Sequence, residues 1–339
     1  MLNGKKQRAL VFVDDEDGDL LPKIDLTEPL EPHSKRTERR RRKLGRKAKI
    51  PAAEPRRLLD LPYEILMAIL TLLRPSEIFV LCRVTSSLRS FILSEEATIC
   101  KSIINLRYST IKRCFLRPVL ANDLDSTVRA VLEYYERLRL ITSSRSPFQH
   151  IQAPDSSLIC TCLTCLHRWN SLCIVVDFAH WQDNLDQGEP IPMVPRGSFP
   201  AWNQELLARN ASIVTRSLTS PLWYARILEA HLDSITRSIR RHGQNKGNRR
   251  RRFLMTDEDM RAGTDVFLER NGPPTVDIPF HRDNYYMLEA FLPNRSWISE
   301  LQKWVYLPAD QHDKDVERAL KWHANSVDQQ RRQAEAQKP

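Results

Sequence analysis

Nine glycines in 339 residues, at positions 4, 18, 45, 188, 197, 243, 247, 263 and 272, constrain this chain more than any other single feature. That is under half the usual share of about 7%. Glycine enters the left-handed backbone region without steric cost, so tight hairpins and phosphate-cradling loops depend on it. No two of the nine form a G-x-G-x-x-G, G-x-x-x-x-G-K or G-x-S-x-G arrangement. The signatures of dinucleotide-binding, P-loop and serine-hydrolase chemistry are therefore missing. Scarce glycine also argues against a turn-rich β architecture, while 21 prolines point to helices broken by rigid connectors. The expected fold class is all-α.

The charge is localised. Lys and Arg number 52 against 42 Asp and Glu, for a net charge of +10. The segment Lys35–Lys49 alone carries +9, from ten basic residues and Glu38, so the remainder is nearly neutral. This is one basic block, not a domain with a nucleic-acid-binding face. No aromatic residue stands between Val13 and Tyr63 to stack on bases, which argues against nucleic acid as a partner. The five consecutive cations Arg39, Arg40, Arg41, Arg42 and Lys43 fit a nuclear-import signal best, with a nucleic-acid tail or a solvated spacer as the other readings. No stretch approaches the roughly 20 apolar residues of a membrane helix. The first apolar cluster, Leu10–Val13, runs straight into Asp14, Asp15, Glu16 and Asp17, so neither a secretory leader nor a membrane partner is expected. Seven cysteines, an odd count, do not make a disulfide framework, and reduced thiols in the nucleus or cytoplasm are the expectation. The sequons at Asn210 and Asn294 then read as chance.

Composition divides the chain. Residues 1–54 read as a disordered arm: an acidic patch, spaced prolines and the basic block contain too little apolar surface to offset an ordering cost of about 1–2 kcal/mol per residue. A helical module is expected over 55–100, linking helices over 101–155, an irregular helical domain over 156–326 and a polar tail over 327–339. Within the module, Leu61, Ile65, Leu66, Ile69, Leu70 and Leu73 fall on one helical face. Asp60 and Pro62 mark the start of that helix and Pro75 its end. Ser76 is placed to cap a second short helix with Ile78, Phe79 and Leu81, and a third carries Val84, Leu88, Phe91 and Ile92. Later helices are expected near 96–119, 122–141, 158–181, 201–218, 221–242, 256–270, 283–292, 296–306 and 309–335. The stretch Leu158–Trp181 is apolar almost throughout and reads as a buried central helix.

About 40 residues is near the lower limit for independent folding, so the module at Leu58–Leu93 must bury a face on the rest of the chain or on a partner. Its residues, Leu61-Pro62-Tyr63-Glu64-Ile65-Leu66, Ile69-Leu70, Pro75-Ser76-Glu77-Ile78 and Val84-Thr85-Ser86-Ser87-Leu88-Arg89, resemble the F-box family. The family commonly has tryptophan where Leu88 stands and cysteine where Thr85 stands. The resemblance implies a docking module for the Skp-type adaptor of a cullin–RING ubiquitin ligase, with Leu61, Pro62, Ile65, Leu66, Ile69, Leu70, Ile78, Val84 and Leu88 as the adaptor-binding set. It implies a non-catalytic receptor that holds a protein substrate near a ubiquitin-conjugating enzyme. The run Leu172–Trp181 is in turn similar to uncharacterised fungal F-box proteins, a likeness that names no substrate. The rival reading is a nuclear nucleic-acid- or chromatin-associated helical protein acting through its basic arm.

Candidates for chemistry are few. Cys160, Cys162, Cys165 and His167 offer thiolate and imidazole, the ligands zinc prefers. Their spacing packs four ligands into two turns, where structural zinc sites pair two knuckles a dozen or more residues apart. On a helix Cys162, Cys165 and Cys173 share a face while Cys160 and His167 point elsewhere. Core packing is the expected role of these cysteines, and no metal or other cofactor is expected. His281-Arg282-Asp283 lacks the other kinase motifs, and Asp257, Glu258 and Asp259 follow Thr256 as a helix start would. Arg249–Arg252 reads as a solvated loop. All seven tryptophans lie after residue 160, at 169, 181, 202, 223, 297, 304 and 322, and are expected to build the core of the C-terminal region.

Overall fold

The computed structural model describes residues 58–134, 151–192, 194–195, 197–244, 255–270, 295–298, 303–306 and 312–336, with positions 35, 36, 38, 39 and 42. The chain divides into two compact units, Met1–Ile69 and Leu70–Pro339. That division falls inside the segment 55–100, which the sequence reads as one module.

In the first unit, Lys35, Arg36, Glu38, Arg39 and Arg42 have helical backbone, and Arg42 pairs with Glu38 at 3.6 Å across one turn. Arg40, Arg41, Lys43 and the rest of the arm lie outside the described residues. A 3₁₀ turn at Leu58–Asp60 leads into α1, Tyr63–Leu72, which continues into the second unit. The Pro62 carbonyl accepts from the amides of Ile65 and Leu66, each at 3.0 Å, so the proline sits at the helix entrance where its missing N–H costs nothing.

The second unit continues with α2 (Pro75–Leu81), α3 (Ser86–Ser94), α4 (Glu96–Arg107), α5 (Ser109–Cys114) and α6 (Ser126–Leu132). Then come α7 (Leu163–His180), α8 (Gln182–Gln187), α9 (Ala201–Thr219) and α10 (Pro221–Gln244). The last helices are α11 (Asp257–Ala262), α12 (Val266–Glu269) and α13 (His312–Ala336). The predominantly helical architecture follows the composition. One expected helix, 296–306, is instead an antiparallel pair of strands, β1 (Arg295–Ile298) and β2 (Lys303–Tyr306), with Trp297 opposite Trp304. Aromatic and β-branched residues on both arms favour extended backbone, and that preference outweighs a short apolar run read as helical. The expected helix at 283–292 lies outside the described residues.

Two helices form the centre of this unit. In α7, 14 of 18 residues are buried, as its near-continuous apolar run predicts. Its start is later than expected: residues 158–162 are not helical, and Ile159 pairs with Leu120 in an antiparallel bridge. In α10, Leu222, Ala225, Leu228, Leu232, Ile235 and Ile239 are buried at helical spacing. This helix packs on α2, α4, α7 and α9. Ile99 and Ile103 of α4, Ile111 of α5 and Tyr108 between the two helices are fully buried, so these helices contribute to the core. Among the described residues, no helix is long and apolar enough to cross a membrane.

Candidate functional site

The segment with the sharpest sequence signal carries apolar residues on two faces of one helix. On α1, Leu66 and Leu70 are 2% and 0% exposed. Leu61, just before it, and Ile65, Ile69 and Leu72 on it follow spacings of four, four and three, a second stripe along the helix. This stripe is open, with Ile65 51% and Leu72 64% exposed. Pro62 and Tyr63 are exposed beside it, and Val80 and Val84 are exposed further along the chain.

The adaptor-binding set read from the sequence therefore splits. Leu61, Pro62, Ile65, Ile69 and Val84 are accessible. Leu66, Leu70, Ile78 and Leu88 are buried and present no surface. The reason is geometric: residues one position apart on a helix point about 100° apart, so Ile65 and Leu66 cannot serve the same face. Leu72 belongs to the open stripe and was not in that set; its spacing from Leu61 was the available signal.

The helices that follow are fixed by polar contacts at their ends. Thr85 caps α3, its hydroxyl accepting from the Leu88 amide at 3.2 Å, so this departure from the family pattern gains a cap. Ser76 does not cap α2. Its amide and hydroxyl donate to the Glu229 carboxylate of α10 at 2.9 and 2.6 Å, and Arg226 pairs with the same carboxylate at 3.2 Å. Glu96 accepts from the Ser220 hydroxyl at 2.5 Å and the Leu222 amide at 2.8 Å, closing the start of α10. Asp265 accepts from the Thr110 and Ile111 amides, each at 2.8 Å, closing the start of α5. Burial raises the Asp265 carboxyl to about 6, with these two amides acting in opposition. Arg107 donates to the carbonyls of Ala262 at 3.0 Å, Gly263 at 3.3 Å and Leu72 at 2.5 Å. Gly263 ends α11 at φ +60°, where an added Cβ would meet Arg74 Nη2 at 3.0 Å.

Buried titratable groups follow burial. Cys100 and Cys114 are each pushed up to about 12 chiefly by desolvation, so neither is a poised nucleophile. Asp177 in α7 accepts from the Asn210 amide at 2.9 Å, and burial raises it to about 7. His180 is lowered to about 4 by burial and by Arg209, whose guanidinium donates to Nδ1 at 2.9 Å.

The cysteine cluster is not the arrangement expected from spacing. Cys160 lies in the extended segment beside Val119, Cys162 is the N-cap of α7 and Cys165 is in its first turn. His167 does not join them; helical rotation carries it off that face. The fourth group is His312, the first residue of α13, and the four ligand atoms lie within 4.8 Å of one another.

Two other sequence features lie outside the described residues: Arg249–Arg252 and His281–Asp283. The helix start expected at Thr256 is present, and Thr256 and Asp259 form a capping box at the start of α11. The tryptophans are less central than expected. Trp169 is buried, Trp181 and Trp223 are half-buried, and Trp202 and Trp322 are exposed. Apolar aliphatic residues of α7 and α10 fill the core in their place.

Comparison with known proteins supplies one match. The family model of the F-box domain matches residues 58–99. No curated protein and no solved structure matches the chain. The matched span holds the open apolar stripe of α1, the proline that opens α2 and the Thr85-capped α3, and over these residues the chain carries an F-box domain.

Proposed function

We propose that this protein is a substrate receptor of a Skp–cullin–RING ubiquitin ligase, docking the Skp-type adaptor through its F-box domain. The observation that carries the reading is the open stripe of Leu61, Ile65, Ile69 and Leu72 inside the matched segment. Helices that lay an apolar face into a groove bind through a few such side chains. The α7–α10 body then holds a protein substrate, and the chain itself performs no chemistry. Its contribution is to raise the effective concentration of substrate beside the charged conjugating enzyme. In this reading Arg39–Lys43 directs the chain to the nucleus.

The test is co-purification of the full chain with a Skp-type adaptor, comparing wild type with Ile65→Arg and Ile69→Arg. Both positions are accessible, so circular dichroism should show folded variants, whereas charge at buried Leu66 would disrupt packing. Each variant should bind at least about tenfold more weakly, while Phe199→Arg, at an exposed site on another segment, binds like wild type. A folded wild-type chain that does not bind the adaptor overturns the proposal.

A further inference from the structure

We infer that Cys160, Cys162, Cys165 and His312 form a structural zinc site that ties the start of α13 to the start of α7. The inference is independent of the ubiquitin-ligase reading. His312 Nδ1 lies 3.9 Å from Cys160 Sγ, 3.3 Å from Cys162 Sγ and 3.4 Å from Cys165 Sγ. Zinc at about 2.3 Å from sulfur and about 2.0–2.1 Å from nitrogen, in tetrahedral geometry, sets a sulfur–nitrogen separation of about 3.6 Å. The three separations fall around that value. Among the described residues none of the seven cysteines is paired in a disulfide, so no such bond competes for these sulfurs.

Hydrogen bonding to the imidazole does not account for the convergence of all three sulfurs on one ring nitrogen. A ring nitrogen has one lone pair or one proton, so Nδ1 cannot satisfy three sulfurs through hydrogen bonds. An ion at their centre can. Three thiolates and one neutral imidazole around Zn²⁺ leave one net negative charge, and backbone donors are already aimed at it. The Val119 amide donates to Cys165 Sγ, the Cys162 amide to Cys160 Sγ and the Cys165 amide to Cys162 Sγ, each at 3.4 Å. The N-terminus of the 18-residue α7 adds its positive dipole end to the same place. Metal uptake breaks three S–H bonds, forms three S–Zn bonds and one N–Zn bond, and releases three protons to solvent.

The surroundings define the type of site. Leu132 and Ala319 are buried with the cysteines, and Val119, Leu124, Val128 and Val316 pack around them. Four protein ligands in an apolar shell leave no open coordination position, which is the form of a structural rather than a catalytic centre. Soft thiolate donors favour zinc over magnesium or calcium. A second contact already aligns the two helices: the Asp315 carboxylate accepts from the Thr164 amide at 2.9 Å and from the Thr164 hydroxyl.

The test begins with the wild-type full chain, purified with zinc present, passed through size exclusion and assayed by elemental analysis. One zinc ion per chain is expected, and exchange for Co²⁺ should give the visible absorption of a tetrahedral thiolate site. Cys162→Ser/Cys165→Ser should lose the metal. His312→Ala should bind it at least about tenfold more weakly against a chromophoric chelator, with His312→Cys restoring it and His167→Ala unchanged. A folded wild-type chain that holds no zinc and gives no cobalt absorption overturns the inference. So does a His167→Ala variant that loses the metal while His312→Ala keeps it.

Discussion

Asp177 shows how much one residue's surroundings decide. It sits on α7, where 14 of 18 residues are buried, and burial moves its carboxyl from an ordinary 3.8 to about 7. A carboxyl with a raised folded-state pKa contributes stability that is complete below its unfolded pKa and is lost as pH rises through its folded pKa. Wild type should therefore lose stability between about pH 4 and 7 by an amount on the order of a few kcal/mol, and Asp177→Asn should flatten that part of the profile. Thermal melts of both proteins at a series of pH values provide the check; parallel profiles would refute the assignment. Neighbouring positions on α1 should separate in the same kind of experiment. Leu70→Ala should cost about 2–5 kcal/mol through the cavity it leaves, while Ile65→Ala, half-exposed, should change stability by about 0.5 kcal/mol or less. Denaturant midpoints measure both.

At the scale of elements, four helices in the second unit start against a carboxylate from a remote part of the chain. Glu229 serves α2, Glu96 serves α10, Asp265 serves α5 and Asp315 serves α7. The first amides of a helix have no partner within it, and its dipole favours negative charge there, so each carboxylate meets both needs. Glu229 is the most demanding case because it also holds Arg226 in a nearly buried pair. Glu229→Ala should destabilise the fold by about 2–4 kcal/mol, and Asp265→Ala by about 1–3 kcal/mol. Urea unfolding of the two variants tests this, and a change below about 0.5 kcal/mol would deny the caps their role. The local signals read differently: Ser76 has the form of a cap, yet it is a donor to Glu229. Thr256 with Asp259 caps its own helix as the sequence indicates, because that motif closes within four residues.

At the scale of the molecule, the two functional readings part on charge. An apolar docking stripe should bind its adaptor almost equally at 50 and 500 mM salt. Binding through the +9 block at Lys35–Lys49 would instead fall steeply with salt as counterions are released. Affinity across that range, with and without residues 35–49, separates them. The sequence by itself determined what depends on neighbours along the chain: helices from apolar spacing, their breaks from proline, the F-box from its ordered residues and the localised charge from its run. It set Cys160, Cys162 and Cys165 close along the chain without bringing Cys160 to the face of the other two, and it put Leu61, Ile65 and Ile69 on one face together with Leu66, Leu70 and Leu73. Only the tertiary structure decided which apolar face is covered, because helical period marks faces without saying what packs on them. It also decided that His312 rather than His167 meets the cysteines, 147 residues after Cys165. Contacts over such separations arise from how helices return on one another, and no local spacing encodes that return.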